Sequence, residues 1–227
     1  MTSDIHVIVT AYNEAPRIGA TLDALAAAFP GAPVWVADDG STDATSRIAR
    51  EAGARVVRSE RMIGKGGAAT LAARDALQNA STDSEPIFIL CDGDLAESAG
   101  RLDALADALR HGDTDIAVAA FATRVGGGVG LAVAFARWAI RRRCGLVTRA
   151  PISGQRALRA DALADVLPFA RGFGMEIGMT IDAVRAGHRV AEIELPLAHR
   201  ATGRTLSGFA HRGRQLIDFV RVYCTRR

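Results

Sequence analysis

The sequence predicts an α/β protein: an open, mostly parallel sheet flanked by helices on both faces. Three observations lead there. Short β-branched and apolar runs alternate with segments of helical period from residue 5 to residue 121. Those runs are apolar throughout rather than alternating, as strands buried on both faces are. Polar and acidic residues fall where the runs end, at Tyr12-Asn13-Glu14, Asp38-Asp39 and Asp92-Gly93-Asp94. In such sheets ligands lie at the carboxyl ends of the strands, so three distant clusters converge on one edge.

The elements follow in order. "IHVIVTA" (5–11) is a first strand, and "PRIGATLDALAAAF" (16–29) a helix with Pro16 suited to its first turn. "APVWVADD" (32–39) is the second strand. Ser41 or Thr42 can cap the helix of "DATSRIAREAG", which Gly53 ends. "ARVVRS" (54–59) is a third strand, and a glycine-rich loop at 64–67 precedes the helix "AATLAARDALQNA". "PIFILCD" (86–92) is a fourth strand, "AGRLDALADALRHG" a helix, and "TDIAVAAF" (114–121) a fifth strand. Beyond a glycine break at 126–130, helical patterns are expected at 131–143, 157–168 and 174–187, with a strand at 188–197. In 207–226, Gly213, Leu216, Ile217, Val220, Tyr223 and Cys224 share one helical face, and Arg214, Asp218 and Arg221 another.

Composition narrows the function classes. The chain has 227 residues, 49% hydrophobic and 23% charged, which excludes a disordered protein. The net charge is only +3, with arginines gathered late in the chain, so a local basic surface is expected rather than a nucleic-acid partner. Cys91, Cys144 and Cys224 form no CxxC pair, which gives neither a disulfide framework nor a zinc site and fits a reducing cytoplasm. No secretory leader is expected from "MTSDIHVIVTAYNE", and the longest apolar run, 129–140, is interrupted by Arg137 and too short to span a bilayer. "RWAIRRR" and the basic helix near the C-terminus either pack on the domain or lie on an anionic membrane surface as a peripheral contact.

Each polar cluster has a functional and a plainer reading. Asp92 and Asp94 offer hard oxygens to Mg²⁺ or Mn²⁺, or cap a turn. Asp38 and Asp39 can accept hydrogen bonds from a base or ribose, or brace the turn "DDGSTD". "IGKGGAA" (63–69) lacks P-loop and GxGxxG spacing; its amides and Lys65 bind an anion, or the lysine is simply solvated. "ISGQRAL" presents Gln155 and Arg156, and "RGFGMEIGM" presents Glu176 at the entry to a helix. "PLAHRATGRTLSG" carries His199, Arg200 and Arg204, a combination suited to a polyanion.

Taken in order, "VIVTAYNEAPRI", "VADDGSTDAT", "IGKGGAA" and "FILCDGDLAE" resemble family 2 glycosyltransferases of GT-A fold. "FATR", "ISGQRALRAD", "GFGMEIGM" and "LPLAHRATGR" are similar to the polyprenyl-phosphate sugar transferases, the dolichyl-phosphate mannose synthase type. The resemblance implies one Rossmann-like GT-A domain over 1–227, with 1–121 binding a nucleotide-diphosphate sugar and 122–227 forming a C-terminal acceptor-side subregion. It implies that Ala11, Tyr12, Glu14, Asp38, Asp39, Lys65, Asp92 and Gly93 surround the donor. Asp92 and Asp94 match the DxD that holds Mg²⁺ or Mn²⁺ on the diphosphate, with His199 as a further metal ligand. Arg124, Gln155, Arg156 and Arg204 would bind acceptor or phosphate, and Asp94, Glu176 and Arg200 would carry catalysis. Many relatives read "DADLQ", whereas Ala96 stands here in place of the glutamine. The implied reaction is sugar transfer to polyprenyl phosphate, or to a soluble phosphorylated acceptor. A sugar-phosphate nucleotidyltransferase and a silent nucleotide-sugar-binding module are the rivals from other classes.

Overall fold

A computed structural model describes residues 4–81, 85–121, 131–197 and 218–226. Its strands are β1 (Ile5–Ala11), β2 (Val34–Asp38), β3 (Arg55–Arg58), β4 (Ile87–Asp92), β5 (Ile116–Phe121), β6 (Arg156–Arg159) and β7 (Val190–Leu195). The helices are α1 (Ile18–Ala28), α2 (Thr45–Glu51), α3 (Lys65–Asn79), α4 (Asp103–His111), α5 (Leu131–Cys144), α6 (Ala160–Asp165) and α7 (Met175–Arg185), and residues 218–225 form a last helix, α8. All seven strands join one sheet in the order β3-β2-β1-β4-β6-β5-β7. Only β6 runs antiparallel to its neighbours.

The alternation of side chains along each strand divides the interior in two. Val7 and Val9 of β1 and Ile89 and Cys91 of β4 point to one face, where Leu22 and Leu25 of α1 and Leu105 and Leu109 of α4 cover them. Ile8, Phe88 and Leu90 point to the other, under Ala68, Ala69, Ala72, Ala73 and Ala76 of α3. This alanine stripe lets α3 approach the sheet closely, and each large apolar side chain so buried contributes about 1.5–3 kcal/mol. A third, smaller cluster unites α5, α7 and α8 through Ala136, Ile140, Ile177, Ile181, Phe219 and Val222.

Three expectations need correcting. Residues 157–168 are not one helix: Arg156–Arg159 form β6, and only Ala160–Asp165 coil. The Arg-Ala-Leu-Arg run favours helix locally, but unpaired edges of β4 and β5 on either side give it backbone partners, and tertiary pairing overrides propensity. The glycine-rich stretch 64–67 is largely the first turn of α3, with Gly64 preceding it at φ 87°. On α8 the buried residues are Phe219 and Val222, whereas Val220 and Cys224 face outward. The glycine break at 126–130 and the proposed face residues Gly213, Arg214, Leu216 and Ile217 lie outside the described residues.

Candidate active site

Strand register gathers the acidic strand ends. Ala11 of β1 pairs with Asp38 of β2, and Thr10 pairs with Asp92 of β4, so three chain segments meet along one edge of the sheet. The turn after β4 is pinned from below by α1. Buried Thr21 donates through its hydroxyl to Gly93 O (2.9 Å) and accepts from Ala96 N–H (2.9 Å). Between those anchors stands Asp94, half-buried, with no hydrogen-bond or salt-bridge partner among the described residues. Ala96 closes the turn at φ 47°, an uncommon backbone region for a side-chain-bearing residue.

Asp92, by contrast, is fully engaged. Its Oδ1 accepts from the Thr10 hydroxyl (2.9 Å) and lies 2.7 Å from Lys65 Nζ, while its Oδ2 accepts from Gln155 Nε2 (2.9 Å). The same ammonium reaches Glu176 Oε1 at 2.7 Å, where the first turn of α7 presents that carboxylate. Lys65 thus ties together β4, α3 and α7. Burial opposes its charge, but the charges of Asp92 and Glu176 outweigh burial and hold the ammonium above the ordinary lysine range. Burial likewise opposes ionisation of Asp92, yet Lys65 and the donors Thr10 and Gln155 pull its pKa below the usual aspartate value. Close packing depends on Gly154. A Cβ there would fall 2.6 Å from Lys65 Nζ and 2.9 Å from Asp92 Oδ2.

The two aspartates ending β2 have separate tasks. Asp38 is wholly buried, accepts from Ser41 N–H (2.8 Å) and the Ser46 hydroxyl, and sits 3.6 Å from Arg58 Nε. Asp39 accepts from the amides of Ile63 (2.7 Å) and Gly64 (3.0 Å). The anion on the amides leading into α3 is therefore the protein's own Asp39. Burial raises its pKa, and the two amides offset this only in part. Asn13, at φ 55°, locks the first loop to the second by accepting from Thr42 N–H (2.8 Å) and donating its own N–H to Ser41 Oγ (2.9 Å). Glu14 N–H donates to Thr45 Oγ1 (2.8 Å). Tyr12 is left 42% exposed on this rim, next to buried Ala11, and offers a ring face to a planar ligand.

The acceptor-side residues divide. Gln155 is buried and spends its amide on Asp92. Arg156 is 1% exposed and donates to Ser153 O (3.0 Å), Thr180 Oγ1 (3.0 Å) and Glu176 O (3.1 Å). Burial lowers its pKa to about 10. Both side chains are buried and brace the segments carrying Asp92 and Glu176. Arg124, His199, Arg200 and Arg204 lie outside the described residues. Sequence reasoning missed Thr10, Thr21 and Gly154. Thr10 alone left a signal, since it shares the strand-end edge with Asp92.

Chemically, the edge combines a charge-locked Lys65–Asp92–Glu176 cluster with a carboxylate, Asp94, that has no partner among the described residues. Among the described residues no three His, Cys, Asp or Glu side chains are grouped to hold a metal ion. A model of the family described as Glycosyl transferase family 2 matches residues 6–166. The chain belongs to that family. It is 27% identical to an undecaprenyl-phosphate mannosyltransferase of Micrococcus luteus, over 94% of this chain and 91% of the relative. It is also 27% identical to a dolichyl-phosphate hexose transferase of Haloferax volcanii, over 91% and 88%. Among solved structures, glucosyl-3-phosphoglycerate synthase from Mycobacterium tuberculosis in complex with Mn²⁺, UDP and phosphoglyceric acid superposes with a TM-score of 0.77 at 30% identity, over 99% of this chain and 78% of that one. The mostly parallel sheet flanked by helices is thus that of a GT-A glycosyltransferase.

Proposed function

We propose that this protein moves a sugar from a nucleotide-diphosphate sugar to a phosphorylated acceptor, with polyprenyl phosphate as the first choice. The observation that supports this most is the contrast within the DxD. Asp92 is satisfied by three protein groups, whereas Asp94, on a turn that Thr21 fixes, has no partner among the described residues. One protein carboxylate, completed by diphosphate oxygens and water, suits Mg²⁺ or Mn²⁺, which are commonly held this way. Asp94 would hold the cation, which when bound neutralises charge on the leaving diphosphate. Lys65 disfavours Asp92 as a direct ligand, because its ammonium lies 2.7 Å from Oδ1. Tyr12 would stack the base, and the loops joined by Asn13 would form its rim.

A lipid phosphate is already anionic and needs no strong base. Glu176, paired to Lys65, would then orient the sugar or the acceptor rather than take a proton. Two relatives named for lipid phosphates favour this acceptor. A soluble phosphorylated acceptor is the second reading, favoured by the likeness to a synthase crystallised with phosphoglyceric acid. Residues 1–121 would serve the donor and 122–227 the acceptor, within one domain. The lipid reading implies a protein at the inner face of the cell membrane by peripheral contact; no described helix is long and apolar enough to cross it.

The test is a donor screen. UDP-, GDP- and TDP-sugars are offered with Mn²⁺ or Mg²⁺, polyprenyl phosphate or 3-phosphoglycerate, and products are scored by mass. Metal-dependent product with polyprenyl phosphate is expected, and its loss in Asp94→Asn by roughly 10²–10³ in kcat/KM, the scale of one lost electrostatic contact at a developing charge. Metal-independent nucleotide binding, unchanged in Asp94→Asn, would sink the proposal.

A further inference from the structure

Helices α5 and α8 make a surface that carries none of the residues placed at the candidate site. Residues 131–150 contain Arg137, Arg141, Arg142, Arg143 and Arg149 and no acidic residue. The inward face of α5 is apolar, with Ala136 and Ile140 buried against Phe219 and Val222 of α8. The outward face is a mixed one. Trp138 is 49% exposed, and Arg137, Arg141 and Arg142 flank it at helical spacing. On α8, Tyr223 lies 4.8 Å from the Trp138 ring, and Val220 is 43% exposed. The Arg143 guanidinium stacks 4.0 Å above the Tyr223 ring and donates to Tyr223 O, so the two helices share one outer surface.

The charges on this surface are largely uncompensated. Arg141 and Arg142 have no acidic partner among the described residues, and Arg221 has only Asp218 at 3.9 Å. Arg137 donates to Arg149 O rather than to a carboxylate. Exposed Trp138 and Val220 beside a half-buried Tyr223, with Arg141 and Arg142 lacking an acidic partner among the described residues, match the boundary between lipid headgroups and acyl chains. Nucleic acid would use the arginines and rings but gives no return for an exposed aliphatic such as Val220.

We infer that the α5–α8 face docks on an anionic bilayer surface, with Trp138 and Tyr223 at headgroup depth and Arg141 and Arg142 on lipid phosphates. This deepens the lipid-acceptor reading and rests on it for its biological sense. The docking plane is joined to the site through α8. Its Asp218 carboxylate occupies the place a Cβ on Gly172 would take, and Gly172 opens the short turn, Gly172–Gly174, that leads into α7 and Glu176. A protein lying on this face would keep Glu176 at a constant height above the lipid.

The experiment uses the full chain and phosphatidylcholine vesicles with or without phosphatidylglycerol, neither containing polyprenyl phosphate. Co-sedimentation should require the anionic lipid and weaken in high salt. Trp138 emission should shift to the blue on binding, over a constant background from buried Trp35. The Arg141→Gln/Arg142→Gln double variant should bind roughly 30-fold more weakly, from two lost lipid contacts. Its transfer to detergent-dispersed acceptor should be unchanged, while its KM for vesicle-borne acceptor rises. Equal partition into both vesicle types, an unmoved Trp138 spectrum at saturation, or tighter binding to single-stranded RNA than to anionic vesicles would overturn the inference. Transfer in detergent without vesicle binding would overturn the docking surface alone. Vesicle binding without transfer to any lipid phosphate would support the surface and overturn the acceptor assignment.

Discussion

Lys65→Met removes the ammonium that Asp92 and Glu176 share while keeping an unbranched side chain one atom shorter. Lys65 retains 26% of its side-chain surface, Asp92 27% and Glu176 7%. Breaking a fully buried pair costs about 3–5 kcal/mol; with water reaching two of the three groups, the expected loss is about 2–3 kcal/mol. At this chain length each kcal/mol shifts Tm by about 2–4 °C, so a fall of roughly 4–12 °C follows. The pH dependence gives the sharper check. In the wild type the Asp92 pKa is depressed below 3.8, so its contribution is full above that value and is lost as pH falls through the folded value. In Lys65→Met burial is opposed only by the Thr10 and Gln155 donors and the Asp92 pKa rises from its wild-type value, so the variant is penalised most at neutral pH and recovers on acidification. Thermal unfolding followed by circular dichroism from pH 7 down to pH 3 should show the gap between the two proteins closing. A constant gap, or one below about 1 kcal/mol at pH 7, would refute the shared counter-charge, since an exposed ion pair is worth no more than that.

The other expectations separate positioning from folding. Gly154→Ala places its methyl between Lys65 and Asp92, both of which can swing aside; Tm should move by only a few degrees, whereas kcat/KM should fall by roughly tenfold or more as the cluster opens. Thr21→Val keeps the shape but leaves Gly93 O and Ala96 N–H without their partner, costing about 1–3 kcal/mol and weakening metal-dependent nucleotide binding through Asp94. Burial would raise the Glu192 pKa, but the Thr148 hydroxyl and the amides of Ala150 and Arg149 pull it down. Its contribution is therefore present above the ordinary value of 4.5 and lost as pH falls through the depressed one. Glu192→Gln should lower stability by about 1–2 kcal/mol at neutral pH and flatten the acid limb of the unfolding profile.

The alternation of buried strands and helices was legible because it is written in local periodicity. "IHVIVTA" and "PIFILCD" are apolar on both sides of the chain, and only a strand covered on both faces buries them fully. The clustering of polar residues at strand ends was legible for the same reason: a parallel sheet brings like ends together whatever the order of its strands. So Asp38, Asp39, Asp92 and Asp94 could be assigned to one edge from the chain alone.

Partner choice could not. Lys65 and Glu176 are 111 residues apart, and nothing in either segment encodes that an ammonium would bridge Glu176 to Asp92. Asp38 and Asp39 are adjacent and chemically equal, yet strand pleat turns one inward to Ser46 and the other toward the amides of Ile63 and Gly64. Nor does the segment around Arg156 encode that β6 would lie between β4 and β5 and bury its guanidinium. Periodicity acts over a few residues and survives in the linear text. Hydrogen bonds and ion pairs form between whichever groups the folded backbone brings within about 3 Å, and that distance exists only in three dimensions.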